Sequence, residues 1–152
     1  MALVWIDRVY DDGLVLEMIT KLKTHFDFDS AHRLAGYKGK CSNLHGHIWK
    51  VEVEVEGEKL NDIGILWDFS NVKKIKEQLD HKTILKVCKE NQDLVYTLTR
   101  TCGSDSLFLM HDNPTAENLA KYILDTFKVD NPSFKFLIRV WESPKSYAEV
   151  EK

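Results

Sequence analysis

Positive charge is not in excess in this chain. Lysine and arginine number 21 against 24 aspartates and glutamates, for a formal net charge of −3. No global basic field therefore invites nucleic acid or an anionic membrane, although a local basic pocket for an anionic substrate stays open. Cysteine is scarce and odd in number: Cys41, Cys88 and Cys102. That count, without a secretory leader, argues against a disulfide framework. A leader needs an apolar core where this sequence has Asp7, Arg8, Asp11 and Asp12. No apolar run is long enough to span a bilayer. The expectation is a cytoplasmic protein with free thiols. Low-complexity tracts, repeats and linkers are also lacking, so 152 residues read as one domain with one sizeable core.

What is present is patterned. Residues 1–18 hold two short apolar runs around Asp11-Asp12-Gly13, an N-terminal extension that reads as a hairpin or flap. Over 20–34, Phe26 and Phe28 alternate with Asp27 and Asp29, in phase with Ser30 and His32. Over 45–56, His45, His47, Trp49, Val51, Val53 and Val55 share one face, and Lys50, Glu52, Glu54 and Glu56 the other. This predicts a long half-exposed strand paired antiparallel with the first. Ser70 is the expected N-cap of a helix over about 71–79. A second helix should begin near Pro114-Thr115, with Leu119, Tyr122, Ile123 and Phe127 as its apolar stripe. Strands follow at about 134–141 and 146–150. Between His81 and Pro114, Ile84 to Val87 looks helical, Gly103-Ser104-Asp105 a turn and Leu107 to Met110 extended. The order β-β-α-(insert)-α-β-β predicts an α+β domain with helices on one face of an antiparallel sheet.

Residues two apart on a strand project from the same face, so His45 and His47 offer two imidazoles to one point. His32 is in phase on the neighbouring predicted strand, within cross-strand reach. Three neutral imidazoles with an open fourth position are the arrangement expected of catalytic zinc; ordinary core or surface histidines are the other reading. Cys41 lies four residues before His45. A nearby cation and the lysines Lys38 and Lys40 would favour its thiolate, which can abstract a proton from carbon. An inert buried cysteine and a fourth zinc ligand are the other readings. In Asp80-His81, a carboxylate beside an imidazole can fix its tautomer. Glu142 ends an apolar strand, where a carboxylate can stand at the rim of a pocket or simply where the sheet meets water.

These pieces resemble the 6-pyruvoyltetrahydropterin synthase and 6-carboxytetrahydropterin synthase family. The matching segments are Phe-Asp-Ser-Ala-His-Arg-Leu at 28–34, Cys-Ser-Asn-Leu-His-Gly-His at 41–47 and Trp-Asp-Phe at 67–69. Leu-Asp-His-Lys follows at 79–82, Asn-Pro-Thr-Ala-Glu-Asn at 113–118 and Trp-Glu-Ser-Pro at 141–144. The resemblance runs from about Phe26 to Tyr147. Its segments are short, and their common order and spacing make it specific.

The resemblance implies the tunnelling fold, in which β-β-α-α-β-β subunits close an antiparallel barrel as a trimer and two rings stack as a hexamer. It implies His32, His45 and His47 as zinc ligands, Cys41 as proton-abstracting base, and His81 with Asp80 as proton relay from a neighbouring subunit. Glu142 would anchor the pterin, whose guanidine-like edge suits a bidentate carboxylate. Thr115 and Glu117 fall in the matched Asn-Pro-Thr-Ala-Glu segment and would line the same pocket, although Glu117 also suits the first turn of a helix. Three residues separate Cys41 from His45. That interval resembles the 6-carboxytetrahydropterin synthases of 7-deazaguanine pathways such as queuosine biosynthesis, which act on 7,8-dihydroneopterin triphosphate. Lys38, Lys40 or Arg33 would neutralise the triphosphate. The chain departs from the compact pattern in its N-terminal extension and in an insert at 83–112. A pyruvoyl-type synthase and a non-catalytic zinc-stabilised oligomeric module are the alternative functions.

Overall fold

The computed structural model describes residues 18–152; the hairpin or flap expected over 1–18 lies almost wholly outside the described residues. Strands β1 (Thr20–His32) and β2 (His45–Gly57) pair antiparallel along their full length, from Thr20 opposite Gly57 to His32 opposite His45. Strand β3 (Lys82–Lys86) and strand β4 (Leu107–Met110) flank β1, and β5 (Lys135–Ser143) and β6 (Ser146–Glu151) flank β2. The sheet order is β4-β3-β1-β2-β5-β6.

The predicted alternation is what splits this sheet into two faces. Phe26, Phe28, Trp49, Val51, Val53, Val55, Phe136, Ile138 and Val140 are buried on one face. Helices α1 (Asn71–Leu79) and α3 (Ala116–Asp130) cover that face with Ile75, Leu79, Leu119, Ala120, Ile123, Leu124 and Phe127. Each large side chain so buried contributes about 1.5–3 kcal/mol relative to exposure. The other face carries an ion-pair network across four strands. Glu54 meets Lys23 at 2.9 Å and Arg139 at 2.5 Å, Arg139 meets Glu149 at 2.5 Å, and Glu56 meets Lys21 at 2.8 Å.

Three expectations need correction. Ile84 to Val87 is not helical: Lys82–Lys86 is strand β3, parallel to β1 over Ser30–His32 and to β4. Ile84 and Leu85 are both fully buried. A strand covered on both faces loses its alternation and cannot be told from a helix by period. The insert therefore forms a strand–helix–strand unit whose helix α2 (Gln92–Cys102) was not anticipated, and the sheet is mixed rather than wholly antiparallel. Finally, Ser70 makes no side-chain cap, because its own dihedrals are already helical. The Asp68 carboxylate accepts the Ser70 N–H at 2.7 Å instead, and this bond holds the Asp68 pKa below its usual value.

Candidate metal centre and active site

The three histidines meet where β1 and β2 end. His32 pairs directly with His45, and His47 lies two residues further along β2 on the same face. Ring centroids are 4.5 Å apart for His32–His45, 5.1 Å for His32–His47 and 4.9 Å for His45–His47. Trp49, fully buried, forms the floor, edge-on to His32 at 5.1 Å and to His47 at 5.3 Å. Gly46 lies between His45 and His47 on β2. A Cβ there would meet only the Ser30 carbonyl oxygen at 3.6 Å, an ordinary contact, so packing within one protomer does not demand the glycine.

Backbone carbonyls set the ring orientations. His32 Nδ1 donates to the Pro114 carbonyl at 2.7 Å, and His45 Nδ1 donates to the Asn43 carbonyl at 2.9 Å. A neutral imidazole carries one N–H, so both Nε2 atoms present lone pairs. They face each other at 3.1 Å. Two lone pairs at that distance repel unless a proton or a cation lies between them. His47 Nε2 is buried without a hydrogen-bond partner. Glu142 supplies a carboxylate oxygen 3.6 Å from both His32 Nε2 and His47 Nε2. Ligand atoms of His32, His45, His47 and Glu142 all lie within 4.8 Å of one another. Tetrahedral zinc with bonds of about 2.0–2.1 Å places its ligand atoms about 3.3 Å apart, within the spread seen here. The residues present fit a zinc ion.

Electrostatics point the same way. Burial lowers the pKa of His32, opposed by the Pro114 hydrogen bond. Burial lowers that of His47 too, opposed by Glu142. Both rings are thereby favoured as neutral ligands.

Cys41 sits in a short 3-10 turn, Lys40–Ser42, partly buried, its carbonyl accepting the Leu34 N–H at 2.8 Å. Its sulfur is not among the converging ligand atoms, which are those of His32, His45, His47 and Glu142. Asp80 and His81 form a pair on the opposite side of β1. Asp80 Oδ1 accepts the Asp29 N–H at 2.9 Å and His81 Nδ1 at 3.0 Å. The Asp29 bond is the main cause of a lowered Asp80 pKa, with His81 adding to it. His81 takes a left-handed φ of 59° and donates its N–H to the Asp29 carbonyl at 2.6 Å. Such backbone is uncommon outside glycine. Its ring stays mostly exposed. His81, His47, Gly46 and Asp29 line a cleft of about 610 Å³ that Leu98 and Cys102 of α2 also border.

Thr115 caps α3, its hydroxyl accepting the Asn118 N–H at 3.3 Å. Glu117 is exposed in the first turn, where the helix dipole favours it. Arg33, a candidate for phosphate, is already engaged: it donates to the Ser42 carbonyl at 2.9 Å and to Glu90 at 2.6 Å. Sequence reasoning missed the Pro114 and Asn43 carbonyls, which carry no side-chain signature. It also missed Asn113, which exchanges two 2.9 Å hydrogen bonds with the Ala35 backbone.

Comparison with known proteins places the chain in a family. The profile of the 6-pyruvoyl tetrahydropterin synthase family matches residues 21–152. The chain is 36% identical over 149 residues to a Pyrococcus horikoshii relative, covering 90% of this chain and 94% of that one. It is 34% identical over 140 residues to the Haemophilus influenzae 6-carboxy-5,6,7,8-tetrahydropterin synthase, covering 87% and 99%. Its fold resembles the Plasmodium vivax 6-pyruvoyl tetrahydropterin synthase with a TM-score of 0.64, at 22% identity over 89% of this chain and 98% of that one. With a family profile over nearly the whole described chain and three imidazoles converging as that resemblance implies, the protein belongs to the 6-pyruvoyl tetrahydropterin synthase family.

Proposed function

We propose that this chain is a zinc-dependent lyase that converts 7,8-dihydroneopterin triphosphate to 6-carboxy-5,6,7,8-tetrahydropterin, releasing acetaldehyde and triphosphate, as a step of 7-deazaguanine biosynthesis. The observation that carries the reading is the meeting of His32, His45 and His47, with two Nε2 lone pairs 3.1 Å apart and a third buried without a partner. A relative at 34% identity that is named 6-carboxy-5,6,7,8-tetrahydropterin synthase supports the choice of product.

The roles follow from chemistry. His32, His45 and His47 would hold zinc. When bound, zinc supplies Lewis acidity to oxygens of the substrate side chain. Cys41 removes a carbon-bound proton next to the ring. His81, its Nδ1 held by Asp80, carries a proton on Nε2 and returns it during cleavage. Glu142 orients the pterin by accepting its amino and ring N–H groups, with Thr115 and Glu117 near the same pocket. Lys38 and Lys40, both exposed, are free to meet triphosphate.

The assembly would be a ring of subunits. Beyond Ser30, β3 covers β1; over Thr20–Phe28 the outer edge of β1 has no strand partner among the described residues. Strand β6 is the opposite edge. Pairing one with the other in a neighbour closes a barrel and removes both edges. The trimer or hexamer so formed would bring His81 of one subunit to Cys41 of the next.

The test is a product assay with zinc-loaded protein and 7,8-dihydroneopterin triphosphate. Mass spectrometry should find 6-carboxytetrahydropterin and acetaldehyde in equal amounts. Triphosphate release without acetaldehyde makes the enzyme a pyruvoyl-type synthase; no turnover of this substrate sinks the reading.

A further inference from the structure

The insert at 83–112 has no part in the reaction as written, yet one of its side chains reaches the loop that carries the proposed base. We propose that Glu90 is a positioning residue for Cys41. This rests on the reading of Cys41 as the base.

The connection from β1 to β2 lies outside the sheet, so no ladder holds it. Two side chains from elsewhere do. Glu90 uses both carboxylate oxygens: Oε1 accepts from Arg33 Nη2 at 2.6 Å and Oε2 accepts the Gly36 N–H at 2.8 Å. Arg33 in turn donates from Nε to the Ser42 carbonyl at 2.9 Å, one residue past Cys41. From the other side, Asn113 pairs with both backbone groups of Ala35. The Leu34 N–H closes the loop onto the Cys41 carbonyl itself. The backbone on both sides of the thiol is therefore tied down, and the outermost tie is Glu90.

Glu90 is itself well placed. Its neighbour Asn91 is fully buried and donates from Nδ2 to the Lys86 carbonyl at 2.8 Å. Lys86 ends β3, which is in register with Ser30–His32 of β1. A continuous path of ladder and hydrogen bonds thus runs from the strand bearing His32, through β3 and Glu90, back to the loop bearing Cys41. It fixes the thiol relative to the metal site. Glu90 is half exposed, and exposed ion pairs add little to folding stability. The weight of this pair falls on geometry, where a displacement of about 1 Å costs roughly a hundredfold in rate.

The test compares wild type with Glu90→Ala and Glu90→Gln as zinc-loaded full-length protein. Steady-state kinetics, zinc content, melting temperature, hydrogen exchange over 34–42 and the iodoacetamide alkylation rate of Cys41 are measured, with Cys102 as internal reference. Glu90→Ala should lower kcat by about 10- to 100-fold, with KM, zinc content and melting temperature close to wild type. Exchange over 34–42 and Cys41 alkylation should both rise. Glu90→Gln keeps an acceptor for one of the two donors and should fall between. Unchanged exchange and alkylation in Glu90→Ala overturn the clamp. A fall in kcat that tracks lost zinc or a lowered melting temperature overturns it too, leaving Glu90 a merely structural residue. Full turnover by Cys41→Ala removes the base assignment, and the positioning role with it; the exchange data then report separately on whether Glu90 holds the loop.

Discussion

Zinc added to metal-free protein should raise its melting temperature by an amount that the site predicts. In the folded chain three Nε2 atoms already converge, two with their Nδ1 partners fixed. In the unfolded chain His45 and His47 stay neighbours, but His32 is 13 residues upstream and its Pro114 partner 82 residues away. Binding to the unfolded state is therefore weak, and nearly all the affinity appears as stability. At free zinc one hundred times the dissociation constant, this amounts to about 2.7 kcal/mol. In a domain of this size each kcal/mol shifts the melting temperature by about 2–4 °C, so the rise should be roughly 5–11 °C. Scanning calorimetry at fixed protein concentration, with a chelator control, measures it. His47→Ala removes the buried partnerless nitrogen and should reduce the shift to under about 2 °C at the same zinc. Equal melting temperatures with and without zinc in the wild type, or equal shifts in the variant, would refute the cation site.

Cys41→Ala should keep stoichiometric zinc by atomic absorption and lose turnover by about 10²- to 10⁴-fold; near-normal turnover removes the thiol from the reaction. Glu142→Ala should weaken pterin binding more than zinc binding in calorimetric titrations, since three imidazoles remain, and the reverse order would make Glu142 chiefly a metal ligand. Trp49→Ala opens a cavity beneath the rings and beside Phe28, and should cost about 3–5 kcal/mol in urea unfolding; a cost under about 1 kcal/mol would show the floor to be dispensable. The metal-free protein should lose stability in acid in two stages, followed by urea midpoints from pH 7.5 to 3. The His32 and His47 pKa values are lowered by burial, so below about 6.5 the unfolded chain takes up protons that the folded chain refuses. Glu52, Glu54 and Glu56 are lowered chiefly by hydrogen bonds from Lys50, Lys23 and Lys21. Their stabilisation is present above about 4.3 and is lost as pH falls through their lower folded values. A flat profile between pH 7.5 and 5.5 would contradict the first stage.

The legible parts of this sequence are those whose surroundings differ on two sides. Strand β2 is apolar on one face and charged on the other, so the period of two placed His45 and His47 together with Trp49 and brought His32 into register. Helix α3 was legible for the same reason, and its start near Thr115 is where that hydroxyl accepts the Asn118 N–H. Strand β3 was not, because both Ile84 and Leu85 are buried and no polar phase marks the turn of the pleat. Helix α2 has no fully buried residue; a helix that packs so lightly leaves a weak stripe. Within the site, the side chains were legible and their orientation was not. The end of an apolar strand leaves Glu142 either at a pocket rim or where the sheet meets water, and its phase with Val140 on β5 brings it to the imidazoles. The Glu90–Arg33 contact spans 57 residues between a loop and an insert, and neither periodicity nor spacing encodes such a pair.

The location of the imidazoles at the end of the β1–β2 pair has a physical cause. A neutral histidine that binds a cation through Nε2 has its N–H on Nδ1, and a hydrogen-bond acceptor there fixes the tautomer and the ring orientation. In the middle of a sheet the nearest carbonyls are committed to the ladder. A site built there would draw its acceptors from side chains or water. At the last rung, His32 opposite His45, the chain leaves the sheet, and carbonyls of irregular backbone become available. Asn43 O and Pro114 O are two of these, each on a segment free of strand pairing. The same departure from the sheet creates the β1–β2 connection with Cys41 and brings in the Asn113-Pro114-Thr115 segment that starts α3. The three imidazoles, the acceptors that orient two of them and the β1–β2 connection with its thiol thus share one origin, the point at which a thirteen-residue strand pair runs out of ladder.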